Sequence, residues 1–127
     1  MARRQTKETI MKTFVIATLQ IEGIHQWPEA EQYAPEVAFL QYPHRHIFHV
    51  KVQSEVTHGD REIEIIKLKR GIEEHLRNNY QKPFDNAECC FFGTMSCEMI
   101  AKELVEAFNL DYCIVLEDNE NGGMVCK

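Results

Sequence analysis

Hydrophobic periodicity changes twice along this chain, and the order of those changes restricts the folds open to it. Residues 13–21, Thr-Phe-Val-Ile-Ala-Thr-Leu-Gln-Ile, are β-branched and apolar, as a strand requires. Residues 44–57, which hold His46-Ile47-Phe48-His49-Val50-Lys51-Val52, predict a longer second strand, followed by a His58-Gly59-Asp60 turn. The period then becomes helical. Ile65, Leu68, Ile72 and Leu76 share one face of a helix over residues 64–79, which Lys82-Pro83 ends. Residues 84–95 read as irregular. Ile100, Leu104 and Phe108 share a face of a second helix from Ser96 to Phe108, with Thr94 or Ser96 as its N-cap. Tyr112-Cys113-Ile114-Val115-Leu116 returns to a strand. Asn121-Gly122-Gly123 predicts a turn into a short last strand ending near Cys126. The order is β-β-α-α-β-β.

A chain of 127 residues is the length of one ordinary domain, and 44% apolar with 27% charged residues is the composition of a folded one. Lys and Arg total 14 against 20 Asp and Glu, giving 14 − 20 = −6. That balance argues against nucleic acid as a partner, because a phosphate backbone calls for a basic face. A small anion in a locally positive pocket stays open. The cysteines at 89, 90, 97, 113 and 126 are odd in number and follow no secretory segment, so reduced thiols in a cytoplasmic setting are expected. No apolar run has the length needed to cross a bilayer, so no membrane partner is expected. Arg3, Arg4, Lys7 and Lys12 make residues 1–11 a basic, flexible arm before a single domain over 12–127, and Met11-Lys12 could serve as an alternative translation start.

The segment 22–43 carries Gly23, Pro28, Pro35 and Pro43 and reads as a long loop, a feature that small domains usually keep for function. At its far end stand His44 and His46. Residues two apart on a strand point to one face, so both imidazoles project together. A divalent metal would relieve their mutual repulsion by taking the neutral lone pairs. His25 opens the loop and comes close to the start of the second strand if the two strands pair as a hairpin. Three histidines with an open fourth position describe a catalytic zinc site. The plainer alternative is a His-x-His pair on a solvated strand. His49 points to the opposite face, and His58 and His75 have no assigned role. Cys89-Cys90 are adjacent, which is poor chelate geometry, and most of the cysteines read as small buried hydrophobes.

With these residues in place the chain resembles the 6-pyruvoyl- and 6-carboxy-tetrahydropterin synthases, which have the tunnelling fold, or T-fold. Ile21-Glu22-Gly23-Ile24-His25 stands for that family's aromatic-x-Ala-Ala-His. His44-Arg45-His46-Ile47-Phe48 stands for its His-Gly-His-Asn/Ser-Tyr/Phe. Glu64-Ile65-Ile66-Lys67-Leu68-Lys69 loosely matches its first-helix motif, Met95-Ser96-Cys97-Glu98-Met99 the start of its second helix, and Val115-Leu116-Glu117-Asp118 its Val-x-Glu-Thr. The likeness spans residues 12–126. It implies an α+β T-fold: a four-stranded antiparallel sheet, two helices packed on one face, and subunits that close into a barrel. It implies a homo-oligomer, trimer or hexamer, with pockets at the subunit interfaces. It implies Zn2+ on His25, His44 and His46, where the ion would bind the ligand's side-chain oxygens and acidify neighbouring C–H and O–H groups. It implies that Glu117 accepts two hydrogen bonds from the amino-pyrimidinone edge of a pterin. Ser96 and Glu98 either line the same pocket or serve the N-terminus of the second helix.

The chain departs from the family where the family moves protons. Leu40 stands in place of its cysteine, four residues before the first histidine of the His-x-His pair. Its Asp-His pair between the helices has no counterpart around Asn78-Asn79-Tyr80-Gln81-Lys82. Glu36, with a raised pKa, or Cys97, as a thiolate, are the substitutes on offer. Arg45 replaces a glycine and is expected to point away from the metal face, toward a neighbouring strand or subunit. Two functions follow from the resemblance. One is a zinc-dependent carbon–oxygen lyase of the pterin synthase type, acting on a reduced pterin triphosphate or related purine-derived ligand, as in queuosine biosynthesis. The other is a non-catalytic T-fold protein that holds or sequesters a pterin or purine nucleotide.

Overall fold

The computed structural model describes residues 10–81 and 89–127. The arm expected over 1–11 lies outside the described residues except for Ile10 and Met11, both exposed and outside any strand or helix. The expected Lys82-Pro83 stop and residues 84–88 also lie outside them.

Strands β1 (Thr13–His25) and β2 (His44–Val56) pair antiparallel along their whole length, from Thr13 opposite Val56 to His25 opposite His44. The first strand therefore runs four residues past the expected Ile21 and carries His25 inside the ladder. Gly23 does not break it. Its missing side chain is where two aromatic rings fit: a Cβ there would lie 2.5 Å from Phe92 Cε2 and 2.9 Å from Phe48 Cδ2. Residues 26–43 are not an open loop. They form a one-turn helix, α1 (Ala30–Tyr33), and a 3-10 segment over Pro35–Gln41, and Trp27 N donates to Leu40 O at 2.8 Å across them.

Helix α2 (Ile65–Tyr80) starts where the Glu64 carboxylate accepts from Ile66 N at 3.1 Å and Lys67 N at 2.6 Å. Ile72 and Leu76 are buried and Leu68 packs against them, but Ile65, placed on the same face by its spacing, is 52% exposed. It sits in the first turn, before the helix reaches the sheet. After α2 comes strand β3 (Cys90–Gly93) and then helix α3 (Cys97–Phe108), capped by Ser96, whose Oγ accepts from Met99 N at 3.2 Å. Strands β4 (Tyr112–Glu117) and β5 (Asn121–Cys126) close the chain.

The order across the sheet is β3-β1-β2-β4-β5, with β3 parallel to β1 and every other neighbour antiparallel. The α+β class is as expected, but the sheet is five-stranded and mixed, not four-stranded and antiparallel. The additional strand comes from the stretch read as irregular. Cys-Phe-Phe-Gly is too short to show a period, and its pairing with β1 is a long-range event. The turn before β5 also differs from expectation. It lies at Asp118-Asn119-Glu120, with φ of +52° at Asp118 and +60° at Asn119, residue types that tolerate the left-handed region. Gly122 and Gly123 belong to β5 instead. A Cβ on Gly123 would stand 2.5 Å from Glu98 Cγ, so glycine is what lets this strand lie flush against α3.

Side-chain parity builds the core. Ala17, Leu19 and Ile21 of β1, Phe48, Val50 and Val52 of β2, and Cys113 and Val115 of β4 form one cluster with Ile72, Leu76, Ile100 and Leu104, so both long helices cover the same face. The next inward positions along these strands are Gly23 and His25 on β1, His46 and His44 on β2, and Glu117 on β4. The polar group is the end of the apolar row. Substituting Gly23→Ala should push the Phe92 ring out of this corner and cost about 1–3 kcal/mol, read as a lower urea midpoint. Adding Phe92→Leu should recover part of that loss.

Candidate metal centre

The register that opposes His25 to His44 puts His46 two residues further along the same face. The ring centroids stand 4.5 Å (His25–His44), 5.4 Å (His25–His46) and 5.0 Å (His44–His46) apart. One ring nitrogen from each lies within 4.8 Å of the others, so the three residues could hold one metal ion. The juxtaposition expected from a β1–β2 hairpin is present.

The outer nitrogens fix which face of each ring looks inward. His25 Nδ1 is 2.9 Å from Met95 O, His44 Nδ1 is 2.9 Å from Tyr42 O, and His46 Nδ1 is 2.7 Å from Asp118 Oδ2. Carbonyl and carboxylate oxygens only accept, so each Nδ1 carries a proton, and in the neutral ring Nε2 is then the nitrogen whose lone pair can meet a metal. This is the arrangement in which a histidine binds metal through one nitrogen while an acceptor orients the other. His25 Nε2 and His46 Nε2 are buried without a hydrogen-bond partner. An orphaned lone pair inside a protein is costly unless something electropositive meets it. Burial also pushes the His25 pKa below its ordinary value, against the opposing pull of the Met95 hydrogen bond and the Glu117 charge. That favours the neutral, ligating form.

Glu117 sits beside these nitrogens. Its Oε1 is 3.3 Å from His25 Nε2 and its Oε2 is 3.1 Å from His46 Nε2, yet neither contact has hydrogen-bond alignment. The Cys97 thiol donates to Oε1 at 3.6 Å. Burial, and then the Glu117 charge, push that thiol up to about 12, so it stays protonated at neutral pH and does not act as the thiolate suggested above. A cavity of about 490 Å³ opens on the group, in the size range of small-molecule sites. Trp27, Leu40, Met95 and Met99 give it apolar walls, while His25, His44 and Glu117 line its polar side with Ser96 and Glu98. Ser96 both caps α3 and reaches this cavity. Glu36 does not reach it: it is exposed on the 3-10 segment. Arg45 points to the opposite face, as expected, and pairs with Glu22 of β1 at 3.1 Å.

Asp118 is the functional residue that motif reasoning passed over. Its Oδ1 accepts from Ile47 N at 2.9 Å while Oδ2 holds His46, and its own N–H donates to Ile47 O at 2.8 Å. The sequence signal was a second carboxylate next to Glu117. The Met95 and Tyr42 carbonyls left no signal at all, since every residue has one.

The fold and the site define a class: an α+β chain with a mixed sheet and an inward-facing histidine triad that could hold a metal. No family model and no curated protein matches the chain.

Two outcomes follow. Asp118→Ala should weaken metal binding by about 10–100-fold in chelator competition, and Asp118→Asn, which keeps an acceptor oxygen, should lose less. In the metal-free protein at pH 8, iodoacetamide should label the exposed Cys126 first and leave Cys97 largely unmodified, as read by peptide mass spectrometry.

Proposed function

We propose that this chain is a zinc-binding protein of the tetrahydropterin synthase kind, taking a reduced pterin triphosphate or a related purine-derived ligand at the His25–His44–His46 centre. The observation that carries the proposal is the set of three imidazoles, each tied at Nδ1 to an acceptor and turned at Nε2 toward a common point at the side of a cavity. Imidazole nitrogens in threes suit zinc, and zinc bound there would supply Lewis-acid polarisation of a ligand's oxygens. Trp27 and Leu40 offer a flat ring two apolar surfaces, and Ser96, Glu98 and Glu117 offer it polar contacts.

The remaining parts of the proposal come with the T-fold ancestry. The protein acts in the cytoplasm as a homo-oligomer, trimer or hexamer, whose sheets join at the outer strands β3 and β5 and whose pockets lie between subunits. Among the described residues no helix is long and apolar enough to cross a membrane.

One observation favours a second reading, a binder without turnover. Leu40 lies in the cavity wall where the family has its cysteine, and the neighbouring Cys97 thiol is held protonated. General acid–base groups typically contribute 10²–10⁴-fold, so a centre without them would be a slow lyase.

Zinc-loaded protein incubated with dihydroneopterin triphosphate separates the two. Triphosphate release over many turnovers supports the lyase. Retention of about one intact ligand per subunit in native mass spectrometry, without release, supports the binder. Neither release nor retention would sink the ligand class.

A further inference from the structure

We propose that the sheet face turned away from the helices carries a second binding site, for a small organic phosphate: a dianionic head set on lysines beside an apolar group. The site is independent of the metal centre and of the ligand proposed there.

The register builds this face in rows. Side chains that alternate with the core row point away from α3 and from the body of α2. Thr18 of β1 stands opposite Lys51 of β2, and Lys51 opposite Ile114 of β4. Gln20 stands opposite His49, and His49 opposite Leu116. From β1 to β4 each row therefore reads as a hydrogen-bonding side chain, a basic one and an apolar one. The rows lie two residues apart on every strand, so like side chains are neighbours on one face.

A cavity of about 640 Å³ lies over these rows, in the size range of small-molecule sites. Asn119 lines it from the β4–β5 turn. Among the described residues β3 pairs with β1 only at Gly23–His25, so the earlier part of β1 has an open edge on that side. Side chains of α2 come round this edge, and Lys69 and Glu73 line the cavity as well.

Charge selects the ligand. The chain has a net charge of −6, yet two lysines and a histidine line this cavity against one carboxylate. Neither lysine is in an ion pair among the described residues, whereas Arg45, Arg61, Arg77 and Lys102 all are. The one carboxylate, Glu73, already faces Arg77, its Oε2 3.6 Å from Nη2. The cavity at the histidine centre is the reverse: Glu98 and Glu117 line it, and no lysine or arginine does among the described residues. An anion is drawn to the lysine face. Two compact ammonium charges suit a dianionic phosphate, and Thr18, Gln20 and Asn119 can donate to its oxygens. Ile114 and Leu116, half-buried beyond the basic positions, take the apolar part. A bare phosphate leaves that half of the floor unused, and a neutral ring leaves the lysines unused.

Phenyl phosphate titrated into the isotope-labelled full chain, followed by amide NMR, tests this. It should give saturable shifts at Thr18, His49, Lys51, Ile114 and Leu116. Inorganic phosphate and phenol should each bind at least about fivefold more weakly. Lys51→Gln should weaken phenyl phosphate by about fivefold, the scale of one solvent-facing ion pair, and Lys51→Glu should abolish saturation. Should a Lys51 variant lose the wild-type circular dichroism, Lys69→Glu, on a different element, is read the same way. His46→Ala, which removes a histidine of the metal centre, should bind phenyl phosphate as wild type does. Shifts that never saturate, shifts confined to amides around His25 and His46, or undiminished affinity in the glutamate variant overturn the site. If inorganic phosphate binds as tightly as phenyl phosphate, the organic ligand fails and a bare anion takes its place.

Discussion

The antiparallel ladder between β1 and β2 is the constraint on which the rest of this molecule depends. Its register sets His25 against His44 and Gly23 against His46. Side chains alternate between faces, so a slip of one residue would turn His44 and His46 to the other side of the sheet and leave His25 behind. The register is defended by the same rows that make the core. Leu19 and Ile21 face Val50 and Phe48 under α2 and α3, and each such side chain contributes about 1.5–3 kcal/mol by burial. Hydrophobic packing in the middle of the sheet thereby holds a polar site at its end.

That site costs stability of its own. Buried nitrogens without partners are tolerated here because their rings are anchored from outside: by a carbonyl just before α3, a carbonyl just before β2, and a carboxylate on the β4–β5 turn. Asp118 accepts a left-handed backbone to reach His46 and Ile47 together. Adjacent carboxylates, one ending β4 and one opening the turn after it, do different work. Asp118 sits behind a ring and orients it, while Glu117 sits in front, 3.3 Å from His25 Nε2 and 3.1 Å from His46 Nε2.

Chemically the centre is better equipped to hold an ion than to move a proton. Leu40 brings no lone pair to the cavity, Cys97 keeps its proton, and Glu36 stays in solvent. An apolar-walled pocket beside such a centre fits the holding of a flat ligand. Trp27, its ring tilted against Tyr33 with centroids 5.2 Å apart, donates its N–H to Leu40 O, so the 26–43 segment holds together the two apolar residues that it gives to the pocket wall.

The sequence by itself determined the two long strands, the two long helices and the same-face pairing of His44 with His46, because these follow from periods of two and 3.6 within a few neighbouring residues. It also narrowed the cap of α3 to Thr94 or Ser96, of which the structure uses Ser96, and gave the outward aim of Arg45. Four things were decided only by tertiary structure. The extension of β1 through Gly23 depends on Phe92 and Phe48 filling the space beside that glycine. The fifth strand depends on β1 offering a free edge to Cys90–Gly93. The turn at Asp118 and Asn119 displaced the glycine-rich expectation because Gly122 and Gly123 were needed where β5 meets β4 and α3. The position of Glu117 between His25 and His46 joins residues about seventy to ninety apart in the chain. Local pattern carries no information about such contacts, since they exist only once burial of the core has brought the strands into register.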